Sequence, residues 1–153
     1  MTCPTPLQPT IPRSRWLAAL LLAAAKAKLP MQVGRVGPHS HCVRGQLALG
    51  SSANQNFISD ASFVVTHTSV AVIDAQGSPR LAERLGAEIR MLKPVPISEV
   101  IITHYHANHI HGLSYFKTMD AHITADAAAR EYIQSDTARL RLRLEASRTN
   151  LAP

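Results

Sequence analysis

Apolar and polar residues follow two periods along this chain, and the change between them outlines the fold. Residues 31–36 alternate at the two-residue period of a strand. Gly37 and Pro38 mark a turn, and His41, Cys42 and Val43 suit a second short strand closed by Gly45. Residues 61–66 and 69–74 are β-branched runs split by His67 and Thr68, which predicts a hairpin. The period then lengthens. Leu81, Leu85, Ile89 and Leu92 recur at near-helical spacing and predict one buried face over 78–92. Ser78 suits the N-cap, Pro79 the first turn, and Pro94 and Pro96 stop the helix. Residues 99–103 return to an apolar, β-branched run that reads as a buried strand. Strand 69–74, helix 78–92 and strand 99–103 thus predict a βαβ unit and an α/β fold.

The rest of the pattern is plainer. A short helix is expected from Leu113, a brief strand over 121–124 and an alanine-rich helix over 125–134. Residues 136–148 read as a basic helix in which Arg139, Arg141 and Arg143 spread around the axis, with an apolar face from Leu140, Leu142 and Leu144. At the other end, residues 16–25 form a ten-residue apolar run. Arg13 and Arg15 precede it, and Ala25-Lys26-Ala27 supplies the small residues of a cleavage site. This is the pattern of a secretory signal over 1–27, too short to span a bilayer as a helix. It predicts a periplasmic or secreted product, or a cytoplasmic one if Met31 is the true start. The remaining 31–150 is at most one domain.

Charge narrows the partners. The formal net charge is +6, which at first suggests nucleic acid. Yet all six basic residues of 1–59 stand without an acid, while 60–153 holds ten basic and ten acidic residues. The excess lies in the leader and first strands, not on a binding face, so no nucleic-acid partner is expected. Cys3 falls in the leader, which leaves Cys42 as a lone thiol, expected to be buried, with no internal disulfide.

The chemistry concentrates after the third long strand. Four of the eight histidines, His104, His106, His109 and His111, fall within eight positions. The C-terminal end of a strand is where α/β folds place ligands, and neutral imidazole is the commonest protein ligand for zinc. His104 and His106, at i and i+2, reach one ion from an extended loop. Gly112 is expected to permit a tight turn. His39 and His41 share that spacing but read as strand or surface positions, His67 as a turn residue, and His122 as an edge residue.

His104, His106, Asn108, His109 and Gly112 resemble the H-x-H-x-D-H-x-x-G motif of the metallo-β-lactamase superfamily. The resemblance spans roughly 31–150 and looks closest to the quinoprotein-associated zinc metallohydrolases. It implies the first half only of an αβ/βα sandwich. It implies that His104 and His106 hold one zinc, that His109 belongs to a second, and that Asp74 supports the metal loop from behind. His111 is a further weak candidate. The chain departs from the motif at Asn108, whose amide carries no charge and cannot act as a base, so one ion is expected and the second site is weakened. The implied function is a zinc-dependent hydrolase of an ester, thioester or amide, truncated and inactive as this chain. The alternative is a non-enzymatic exported module for metal binding or interaction. A small-molecule substrate is implied, and a half-domain face is expected to promote self-association.

Overall fold

A computed structural model describes residues 31–149, with side chains to 144. The predicted leader over 1–27 lies outside the described residues. Six strands run in sequence order across one sheet: β1 (Val33–Arg35), β2 (Ser40–Val43), β3 (Ala61–Val65), β4 (Val70–Ile73), β5 (Ile97–Ile102) and β6 (His122–Ala125). The first three pairings are antiparallel and the last two parallel. β3 and β4 form the predicted hairpin, closed by Thr66, whose hydroxyl accepts the Ser69 amide at 3.0 Å.

Helix α1 (Pro79–Leu92) makes the βαβ crossover. Ser78 caps it by accepting the Leu81 amide, and Lys93 closes it in extended backbone before Pro94. Two short helices, α2 (Ala107–Ile110) and α3 (Leu113–Lys117), carry the chain from β5 to β6. Helices α4 (Ala127–Gln134) and α5 (Asp136–Thr149) follow. No helix among the described residues is long and apolar enough to cross a membrane.

The core lies on one face of the sheet. Phe63, Val72, Val100 and Ile123 are neighbours across four strands and point to it. Phe63, Val70, Val72 and Val100 are fully buried there with Leu81, Leu85, Ile89 and Phe116. The register assigns Val64, Ala71 and Glu99, and likewise Ser62, Ile73 and Ile101, to the opposite face, where none is buried. Residues 99–103 are therefore not buried throughout: Ile101 is 39% exposed, because the described residues put no layer on its side.

Two other expectations need correction. Leu92 continues the helical stripe but is 48% exposed, although Ile89 three residues before it is fully buried. Cys42 is only half-buried, at a position that the register puts on the open face beside Ser62. Leu140, Leu142 and Leu144 are all exposed, as suits a helix that reads as solvated.

Candidate metal centre

β4 and β5 end side by side, and their ends build the site. Asp74 follows β4, and its amide donates to the Ile101 carbonyl at 2.9 Å. Its φ of 66° is left-handed, which is uncommon for a residue with a side chain. That turn aims the carboxylate across at the end of β5. There Oδ1 accepts the Thr103 amide at 2.9 Å, and Oδ2 accepts the Thr103 hydroxyl at 2.8 Å. Oδ2 also accepts His109 Nδ1 at 2.9 Å. Burial alone would raise the Asp74 pKa; the bonds from His109 and Thr103 outweigh it and leave the carboxyl below its ordinary value.

These bonds decide two tautomers. An ionised carboxylate only accepts, so His109 carries its proton on Nδ1. The single hydroxyl proton of Thr103 goes to Asp74. His104 Nδ1, 2.9 Å from that hydroxyl, must then be the donor to it. In its neutral form each imidazole then has its unprotonated nitrogen at Nε2, the form that binds metal. Burial, and then the neighbouring His109 and His106, hold the His104 pKa below the usual histidine value, which keeps the ring neutral.

Three rings come together. His104 lies 4.6 Å from His106 and 4.1 Å from His109 between ring centroids. Tyr105 stacks on Tyr132 at 4.5 Å and meets His106 edge-on. His111 stands apart: it is half-buried, burial lowers its pKa, and its ring meets none of the other three among the described contacts. Asn108 contributes its backbone carbonyl, which accepts the Ser59 hydroxyl at 2.5 Å.

The motif does not stay extended. It turns helical at Ala107, with His106 as the N-cap residue, and this places His109 over Asp74. Gly112 has an ordinary φ of −78°, so its role is space and not a special turn. A Cβ there would lie 1.8 Å from the Ala75 carbonyl oxygen. The close approach allows the Gly112 amide to bond the Gln76 carbonyl and the Ala75 amide to bond that of His109.

Thr103, Ser59 and Gln76 went unassigned at the level of sequence. Gln76 is fully buried at a φ of 70°, with neither side-chain amide atom hydrogen-bonded. A hydroxyl residue directly before the first histidine was the one signal available for Thr103.

The donor chemistry suits zinc, but the arrangement stops short of a closed set. Among the described residues, no three His, Cys, Asp or Glu side chains are placed so as to hold a metal ion. The His104 ring instead meets those of His106 and His109 at 4.6 and 4.1 Å between centroids.

Residues 55–124 match the metallo-beta-lactamase superfamily, and this interval contains both Asp74 and the histidine motif. The superfamily resemblance is thereby shown. Among solved structures, the metallo-beta-lactamase TMB-1 matches with a TM-score of 0.55 at 18% identity, over 69% of this chain. At that identity the likeness shows the fold. The match covers 48% of the TMB-1 chain, so this chain spans about half of that relative. No curated protein matches.

Proposed function

We propose that the described residues are the part of a zinc-dependent superfamily hydrolase that brings its first metal ligands. His104 and His106 hold the metal, and His109 is the donor toward a second ion. Asn108 weakens that second position, because a neutral amide replaces a carboxylate. The observation that supports this most is the Asp74–Thr103–His104 chain, with His109 on the same carboxylate. It turns two neutral imidazoles into Nε2 donors. A metal bound there supplies Lewis acidity toward an ester, thioester or amide carbonyl. The chain's own residues orient and hold protons: Asp74 keeps the Nδ1 proton of His109 in place, and Thr103 passes the same constraint to His104. The third donor that a catalytic zinc uses would come from outside the described residues.

A second reading has an observation of its own. The lack of a three-donor set among the described residues, beside Asn108, favours a non-enzymatic module that binds metal without turnover. Zinc titration by calorimetry on wild type, His106→Ala and Asn108→Asp separates the two, with ester and β-lactam hydrolysis measured on each. One weak site is expected in the wild type, lost in His106→Ala and tightened in Asn108→Asp, with negligible turnover in the isolated chain. Zinc-dependent turnover that reappears when the chain is extended by a segment carrying further histidines decides for the hydrolase. Zinc binding left unchanged by His106→Ala overturns the ligand assignment.

A further inference from the structure

An open surface pocket of about 370 Å³ lies at the end of the sheet remote from the histidine motif. β4 runs between the two places: Val65, in the pocket wall, pairs with Val70 at its start, and Asp74 follows its end. α1 spans the same distance, from Ser78 beside the motif loop to its C-cap Lys93 in the pocket wall. The volume is at the lower end of the range for small-ligand sites.

The lining is one-sided in charge. Arg35 and Lys93 bring two positive charges, His39 and His41 bring imidazoles, and Val65 and Leu92 bring apolar surface. Among the described residues, no carboxylate lines the pocket. Arg35 donates Nε to the Gly37 carbonyl at 3.0 Å and Nη2 to that of Pro38 at 3.1 Å. Neutral carbonyls fix the guanidinium without cancelling its charge. Lys93 takes no part in the ion pairs found among the described residues. The His41 ring stacks on Phe63 at 5.1 Å, nearly parallel at 12°, which holds it rigidly. Its Nδ1 is buried without a hydrogen-bond partner.

We propose that this pocket binds a small organic carboxylate. The anion is held between Arg35, Lys93 and the imidazole nitrogens, and the body of the molecule lies on Val65 and Leu92. The i, i+2 spacing of His39 and His41 would suit a metal ion in isolation. Two full positive charges in the same lining repel one and attract an anion, where charge-assisted hydrogen bonds are strong. The C-terminal end of α1 adds roughly half a negative charge here, which two full positive charges outweigh. A bare inorganic anion would leave the apolar wall unused.

The test is an NMR titration of the full chain with three probes: benzoate, benzyl alcohol and inorganic phosphate. Benzoate is expected to shift the resonances of His41, Val65 and Lys93, with a dissociation constant on the order of 1 mM. Benzyl alcohol lacks the charge and phosphate the apolar body, so each should bind at least about tenfold more weakly. Lys93→Gln, at a helix end where it disturbs no core contact, should weaken benzoate by about tenfold and leave the His104–His111 resonances in place. Equal binding of benzyl alcohol or of phosphate overturns the proposal. So does benzoate affinity that Lys93→Gln does not change, or shifts confined to the histidine motif.

Discussion

Asp74 spends a left-handed backbone conformation on aiming one carboxylate at three donors. Strain of this kind persists where the surroundings over-determine it, and here two strand ends and a helical turn do so. The expected consequence is that Asp74→Asn damages metal binding more than folding. An amide offers one acceptor in place of two, and its NH₂ faces either the Thr103 amide or His109 Nδ1–H. Zinc affinity should fall about 10–100-fold, the usual cost of losing a residue that orients a ligand. Proton–nitrogen NMR of the imidazoles gives the readout that a merely structural role would not move. His109 should be the Nδ1–H tautomer in the wild type and a mixture in Asp74→Asn. Thr103→Val should loosen His104 in the same way, and Thr103→Ser should restore it. Unchanged tautomers in Asp74→Asn would remove the Asp74 network from the account.

Elements show where sequence reading succeeds and where it stops. The ends of α1 were legible because each is a local chemical event: Ser78 accepts an amide three residues on, and Pro94 cannot continue the helix. The histidine motif was legible for the same reason, being compact in sequence. Leu92 was misread because helical period gives direction but not extent. Ile89 is fully buried, while Leu92, three residues on, is 48% exposed beside the open pocket. The Asp74–Thr103 and Ser59–Asn108 bonds join residues 29 and 49 positions apart. They depend on the register of strand ends, which no local pattern carries. Leu85 and Leu92 therefore make a matched pair for test. Leu85→Ala, fully buried against the sheet, should cost about 2–5 kcal/mol in urea unfolding. Leu92→Ala should stay within about 0.5 kcal/mol. Similar losses at both positions would mean that the packing of α1 has been misjudged.

For the whole molecule, the decisive feature is a sheet covered on one side. Val64, Ala71, Ile73 and Ile101 occupy one face of three adjacent strands, and the described residues leave them partly or wholly open. Glu99, His122 and Thr124 bond one another at the edge of the same face, so the apolar centre has a polar border. Such a face is expected to associate, because burying apolar surface is favourable whichever chain supplies the cover. The chain should therefore form dimers or larger species whose share grows with concentration in sedimentation velocity. Its thermal midpoint should rise with concentration as well, since association stabilises the folded form by mass action. Ile101→Lys places a charge in the middle of this face while Val100 and Ile102 keep the core side intact. It should shift the distribution toward monomer without abolishing the fold seen by circular dichroism. A chain that stays monomeric at every concentration, with a sharp transition that neither dilution nor Ile101→Lys moves, would show that this face is already satisfied within the molecule.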